Sequence, residues 1–160
     1  MTEIIGDHGA ALSDNPVLPT SGDFMLSGFG YDPNATADKP VDVNMLKTVT
    51  LTAKTCDKPE FDNDYFCTVE INKDACKGDG GAGLIDKDNV IYGVVSGGRS
   101  CLDLYTSAQN HQDEGRPLKE WEGGQFTAIS WHLGFICEII DMVIKGCPET
   151  FKTEKYLTLP

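Results

Sequence analysis

The chain lacks any hydrophobic run long enough to cross a bilayer. Its longest apolar stretch, residues 135–144, is interrupted by Glu138 and Asp141, whereas a transmembrane helix needs about 20 mostly apolar residues. The chain also has no excess of positive charge: it contains 13 Lys and Arg and 25 Asp and Glu, which gives a net charge of −12. Such a charge repels nucleic acid and anionic membrane surfaces. We therefore expect neither as a partner.

Metal-ligand patterns are missing too. No C-x-x-C occurs, and His8, His111 and His132 are far apart, none of them four residues from another soft ligand. Structural zinc sites usually show closely spaced Cys and His pairs. We predict no metal site and no cofactor.

The N-terminus shows no secretory signal. Residues 1–11 mix acidic and apolar side chains, without a basic start or an apolar run. By contrast, the chain contains six cysteines, an even number that favours three disulfides and an oxidising compartment. If the protein is secreted, as the cysteines suggest, its signal has been removed.

The composition favours one domain of a loop-rich β fold, because 160 residues include 17 Gly and 8 Pro. Apolar runs predict six strands, at residues 23–29, 47–53, 65–69, 82–85, 90–96 and 125–129. Strict alternation in the second run directs Val49, Leu51 and Ala53 inward. We predict an all-β fold, a six-stranded antiparallel Greek-key barrel.

Two further segments flank the last predicted strand. Residues 107–123 are polar and predict a long loop. One C-terminal helix against the barrel is predicted by helical spacing of Ile129, Leu133, Ile136, Ile140 and Ile144. The predicted organisation is an N-terminal segment at 1–19, the barrel with its helix at 20–147, and a tail at 148–160.

A short motif carries the most information about function. Residues 74–83 read D-A-C-K-G-D-G-G-A-G and resemble the D-x-C-x-G-D-S-G-G-P motif of trypsin-like serine proteases. The flanking sequence agrees: L-S-G-F-G at 26–30 is similar to the family's I-S-G-W-G, and V-V-S-G-G at 94–98 to its V-V-S-W-G. The resemblance covers residues 16–145, which correspond to the C-terminal half of such a protease. It implies that the N-terminal barrel, with the catalytic His and Asp, has no counterpart here.

The resemblance places Gly80 where the family has its nucleophilic serine. Acyl transfer of this kind needs a hydroxyl activated by a base, so the resemblance implies no catalytic residue. Gly78, Asp79 and Gly80 correspond to the oxyanion loop, whose two glycine N–H groups need only main chain. Because the family pairs this aspartate with a released N-terminus that has no counterpart here, we expect Asp79 to be exposed or its loop to be rearranged.

The resemblance also implies a pocket like the one in which trypsin-like enzymes receive Arg or Lys. Asp74 corresponds to the carboxylate at its base, although a solvated loop carboxylate is an equally good interpretation. The walls correspond to Ser96, Gly97, Gly98 and Gly124. Gly97 replaces the aromatic residue of one wall, which puts recognition of a basic side chain in doubt.

The cysteines extend the resemblance. Cys56 with Cys67, and Cys76 with Cys101, match two disulfides of the family beside the pocket. Cys137 and Cys147 remain, and in one continuous helix they would lie about 15 Å apart, beyond disulfide reach. Either the chain turns back between them, or one of them bonds to another chain.

These observations favour a non-catalytic serine protease homologue, secreted, that binds a protein through the loops a protease uses for substrate. The alternative is a subunit or fragment of a trypsin-like endopeptidase whose other half is on a separate chain. In the two-barrel family, the face of the second barrel that meets the first is apolar. Because the first barrel has no counterpart here, we predict that this face is covered by self-association or by a protein partner. The sequon Asn34-Ala35-Thr36 is compatible with secretion.

Overall fold

The computed structural model of the chain describes residues 9–32, 45–56, 64–70, 73–115 and 123–139. Within these ranges it contains seven strands and two helices. In chain order they are β1 Ala11–Leu12, β2 Asp23–Gly28, β3 Lys47–Lys54, β4 Tyr65–Thr68, β5 Gly83–Ile85, β6 Val90–Gly97, α1 Cys101–Glu114, β7 Gln125–Ala128 and α2 Ile129–Ile139.

Six of the strands form a closed antiparallel barrel. The order is β6-β5-β2-β3-β4-β7, and pairing of β7 with β6 closes the ring. The predicted barrel with a C-terminal helix is thus confirmed, and each predicted strand agrees with the observed one to within one residue at either end. Closure leaves no open sheet edge within the ring, which removes the edge groups that would otherwise pair with another chain.

The short strand β1 was not predicted. It pairs in parallel with the start of β6, where the Ala11 N–H donates to the Asn89 oxygen at 2.9 Å and the Ser13 N–H to the Ile91 oxygen at 2.9 Å. Two residues are too few for a recognisable alternation in sequence. Part of the predicted N-terminal segment is therefore packed against the barrel.

Alternating residues fill the barrel. Leu51 and Ala53 are buried and Val49 packs partly against the core, so the predicted inward face of β3 is confirmed. Aromatic rings occupy the centre: Phe66 stacks on Phe126 with ring centroids 5.6 Å apart. Rings of this size contribute much of the apolar area that a small barrel can bury.

The polar segment 107–123 was predicted to be a loop, and this is wrong for its first part, because residues 107–114 belong to α1. The helix buries only Cys101 and Leu104. Two buried positions are too few to produce a recognisable helical periodicity of apolar residues in the sequence. The Cys76–Cys101 disulfide fastens its start. Gly115, at φ +65°, ends it with its N–H bonded to the His111 oxygen at 3.1 Å. Residues 116–122 lie outside the described part.

The helix α2 packs on β6 and β1, with Ile129 and Leu133 buried. A polar contact adds to this packing, since His132 Nε2 lies 2.7 Å from Asp64 Oδ2. The predicted helical residues Ile140 and Ile144 lie outside the described residues, so α2 is known only as far as Ile139.

Gly93 on β6 marks the tightest point of the core. A methyl group at Gly93 would lie 2.7 Å from carbons of the Phe66 ring and 3.1 Å from Phe126 Cβ. We expect Gly93→Ala to lower the free energy of unfolding by about 1–3 kcal/mol, because the rings cannot move apart in a closed barrel. Urea denaturation measures this.

Gly80→Ala is the matched control, because a methyl group there would meet nothing within 4 Å. Its φ is not in the left-handed region, so the same substitution should change stability by less than about 1 kcal/mol. Equal destabilisation by the two alanines would contradict the packing described here.

Candidate functional site

The loop between β4 and β5 is fastened by a disulfide. Cys76 is bonded to Cys101, at the start of α1, and a second disulfide joins Cys56 to Cys67. Both predicted pairings are confirmed. Cys137 is disulfide-bonded as well, while Cys147 lies outside the described residues.

Residues 76–79 form a tight turn. The Asp79 N–H donates to the Cys76 oxygen at 2.9 Å, and Gly78, the third residue of the turn, has φ +106°. A positive φ at this position is the mark of a type II turn, which favours glycine there. The turn then joins the barrel through the Gly81 N–H, which donates to the Val95 oxygen at 3.0 Å.

Asp79 ties this turn to the end of β2. Its Oδ1 accepts the Gly30 N–H at 2.7 Å, and its Oδ2 accepts the Cys76 N–H at 2.9 Å. The side chain is half-buried, so the first of the two expectations for Asp79, an exposed carboxylate, is wrong. Two main-chain donors stabilise the charge, as hydrogen bonds to the ionised form do. The end of β2 can approach the Asp79 carboxylate this closely because Gly28 and Gly30 have no side chain, and a side chain at either position would collide with it.

The N–H groups of Gly78 and Gly80 have no acceptor within the part of the chain that the structure describes. Gly80 is exposed, and the space where a side chain would start is empty to 4 Å. The backbone at this position therefore accommodates a side chain, although the sequence supplies none. Main-chain donors without acceptors on an exposed turn can bind an anionic oxygen.

Asp74 is partly buried, with one carboxylate oxygen enclosed. Its Oδ1 accepts the Ala75 N–H at 2.7 Å, and its Oδ2 is enclosed without a hydrogen-bond partner. Burial raises the pKa of this carboxyl from its ordinary 3.8 to about 7, while the N–H groups of Ala75 and Gly124 oppose part of the rise. The negative charge of Glu70 adds a smaller upward contribution to the pKa.

Three of the predicted pocket residues come together around this carboxylate. Asp74 Oδ2 faces Gly98, Asp74 Oδ1 packs against Gly124, and a methyl group at Gly98 would lie 3.2 Å from the Gly124 Cα. Both glycines therefore lie against the Asp74 carboxylate, whose Oδ2 is not accessible to solvent. Ser96 stays exposed and donates to the Gln125 oxygen at 3.3 Å, and Gly97 also lies beside Gln125.

An open cavity of about 220 Å³ lies beside the same loop, and sequence reasoning missed it. It is bounded by β2, β3, residues 73–79 and α1, and none of the four predicted wall residues lines it. We call it the α1 cavity. Its position could not be predicted, because α1 was not predicted.

Within the described ranges, no group of three or more His, Cys, Asp or Glu side chains is placed to hold a metal ion. His132, which could serve as a ligand, is instead paired with Asp64. None of the helices in these ranges has the length and hydrophobicity needed to span a bilayer.

The fold has counterparts among solved proteases. The structure is similar to that of neuropsin, a serine protease expressed in the limbic system of mouse brain, with a TM-score of 0.58 and 18% sequence identity. The match covers 82% of this chain and 53% of the neuropsin chain, so the chain spans about half the length of that protease. At this identity the likeness concerns the fold alone.

The sequence itself establishes the family. A family model described as Trypsin matches residues 8–112, more than half of the chain. The chain therefore belongs to the trypsin family. No protein with a curated description matches it.

Asp74 should make stability depend on pH. Because its pKa is raised in the folded state, the folded protein holds a proton between about pH 4 and pH 7 that the unfolded chain has lost. The contribution of Asp74 to the free energy of unfolding is therefore fully present below pH 4. It is lost as the pH rises to 7, a decrease on the order of 4 kcal/mol. We expect Asp74→Asn, which cannot ionise, to abolish this decline in urea midpoint.

Asp88→Asn, in the exposed turn between β5 and β6, is the control and should keep the decline. If Asp74→Asn and the unmodified protein lost stability in parallel over this range, the carboxyl of Asp74 would not be the buried acid described here.

Proposed function

We propose that this chain is a non-catalytic member of the trypsin family that acts by binding another protein. Gly80 carries the proposal. It is exposed in the tight turn that corresponds to the family's serine loop, has room for a side chain, and provides no hydroxyl. Nucleophilic acyl transfer at this position cannot proceed without that hydroxyl.

The environment of Asp74 supports the same proposal. A protease that selects Arg or Lys needs an accessible carboxylate, whereas Asp74 Oδ2 is enclosed and has no hydrogen-bond partner among the described residues. The nearby Ser96 hydroxyl donates to the Gln125 oxygen and has no histidine partner among its hydrogen bonds. The oxyanion loop of Gly78, Asp79 and Gly80 persists in this proposal as a rigid binding surface.

We further propose that the chain corresponds to the C-terminal half of a trypsin-like protease and that it is secreted. The disulfides of the described residues are typical of oxidising compartments. The 53% coverage of neuropsin also favours the second candidate, a subunit or fragment of a serine endopeptidase whose other half is on a separate chain. Asn34, the possible glycosylation site, lies outside the described residues.

A fluorophosphonate probe tests the absence of a nucleophile. We expect no covalent adduct and no turnover of Arg and Lys peptide substrates, because residue 80 has no hydroxyl to attack the phosphorus or the carbonyl. Intact-mass spectrometry after incubation measures the adduct, with trypsin as the positive control.

The variant Gly80→Ser separates the two candidates. Alone it should remain unlabelled, because an unactivated serine reacts poorly. Labelling of this variant only after addition of a chain that carries His and Asp would favour the separate-chain candidate. Labelling of the unmodified protein, mapped for example to Ser96, would overturn the assignment of Gly80.

Exposed apolar side chains support a protein partner. The end of the β2–β3 pair presents Phe29, Tyr31, Met45 and Leu46, each more than half exposed. The register that pairs Gly28 with Lys47 brings Phe29 beside Leu46. Contiguous apolar surface of this kind marks interaction sites on soluble proteins.

We therefore expect association, with itself or with a partner, that buries on the order of 1,000 Å² or more in total. Light scattering over a dilution series measures the oligomeric state of the isolated chain, and the double variant Phe29→Ser and Leu46→Ser should shift it toward monomer. A chain that stays monomeric at every concentration, and captures no protein from its native source, would remove the physical basis of the partner proposal.

A further inference from the structure

The α1 cavity has a mostly apolar interior. Its walls include Leu26 of β2, Val49 of β3, and Leu104 and Ala108 of α1. Tyr31 and Tyr105 also line it, and Tyr31 is half exposed. An open cavity with apolar walls and a few polar groups at its margin is the usual form of a ligand site.

The carboxylates around the cavity either have partners or are enclosed. Both Asp79 oxygens accept main-chain N–H groups, from Gly30 and Cys76. Asp74 also lines the cavity, but its Oδ1 accepts the Ala75 N–H and its Oδ2 is not accessible to solvent. Asp32, the third acid of the lining, also has an interaction partner. These groups have little capacity left to bind a cation in the cavity.

The ammonium groups of the lining are less fully used. Lys73 is exposed and makes no hydrogen bond or ion pair in the described part of the chain. Lys47 donates one bond, from Nζ to the Gly30 oxygen at 2.5 Å, and an ammonium has three donors. The ammonium N–H groups of Lys73 and Lys47 that have no acceptor among the described residues therefore favour a ligand with a negatively charged acceptor group.

From this combination we propose that the α1 cavity binds a small carboxylate with an aromatic or aliphatic body. The apolar body lies among Leu26, Val49 and Leu104, and the carboxylate accepts hydrogen bonds from Lys73 and Lys47. The cavity, at about 220 Å³, is smaller than the 300 Å³ or more of drug-sized sites. It suits a single ring with a short acidic arm, and this site is distinct from the loop surface of Gly78 and Gly80.

Titration with 3-phenylpropionate, followed by two-dimensional NMR of the ¹⁵N-labelled chain, tests the proposal. We expect saturable shifts of the amides of Leu26, Val49 and Leu104, with a dissociation constant of roughly 1 mM or tighter for a ligand of this size. The neutral isostere 3-phenylpropionamide and the cation 3-phenylpropylamine should bind at least about 5-fold more weakly. Equal or tighter binding of either one would overturn the carboxylate assignment.

Two variants locate the site. Lys73→Gln should weaken 3-phenylpropionate binding by about 5- to 10-fold, since it removes one charge-assisted donor at an exposed position. Its control is Lys87→Gln, in the exposed β5–β6 turn, which should bind as the unmodified protein does. If the two lysine variants bound equally, Lys73 would not be part of a site.

Ala108→Phe should fill the cavity and abolish binding, and its circular dichroism and unfolding midpoint show whether the chain still folds. A folded Ala108→Phe variant that binds normally would place the ligand elsewhere and overturn the proposal.

A short peptide ending in Phe, with a free or an amidated C-terminus, distinguishes a free small acid from a peptide C-terminus as the source of the carboxylate. Preference for the free small acid assigns the site to a metabolite, and preference for the free peptide carboxylate assigns it to a chain terminus.

Discussion

The Asp79 carboxylate is the contact on which the geometry of the candidate site depends. It joins the residue after β2 to the turn before β5 by accepting the Gly30 and Cys76 N–H groups. A half-buried carboxylate without a cation would be costly if its oxygens lacked donors. The two main-chain donors offset that cost, and among the described residues Asp79 holds the turn with Gly78 and Gly80 through these hydrogen bonds and not through an ion pair.

Helix α1 is the second determinant of the site. Its first residue, Cys101, is bonded to Cys76, and its buried residue Leu104 lines the α1 cavity. The disulfide therefore links the turn, the cavity and the helix into one unit. A polar helix with so narrow a buried face has little reason to fold alone, so its position comes from the barrel and the disulfide.

The glycines decide which parts of the site are open. Gly98 and Gly124 both lie against the Asp74 carboxylate, whose Oδ2 is not accessible to solvent. The cavity that remains open lies on another side of the same loop, between α1 and the β2–β3 pair. The apolar surface and the α1 cavity share Tyr31. The variants that test them change different residues, Phe29 and Leu46 for the surface and Lys73 and Ala108 for the cavity, so the two proposals can fail separately.

The sequence by itself determined the barrel. Alternation in β3 and short apolar runs for the other five strands were enough, because half-buried strands must place every second residue in the core. The motif at residues 74–83 likewise identified the loop and the absence of a hydroxyl at Gly80, and the resemblance to the trypsin family implied the Cys76–Cys101 bond. The missing hydroxyl depends on residue identity alone.

Only the tertiary structure decided the burial of Asp74, the donors of Asp79, the pairing of β1 with β6 and the existence of α1. Each depends on partners far away in sequence or on a disulfide, as with Gly30 and Asp79 or Ala11 and Val90. No local periodicity encodes such contacts, since they arise when the closed barrel brings loops from opposite ends of the chain to one place. The physical reason is that a polar group's cost of burial is set by the donors that surround it, and these are known only once the chain has folded.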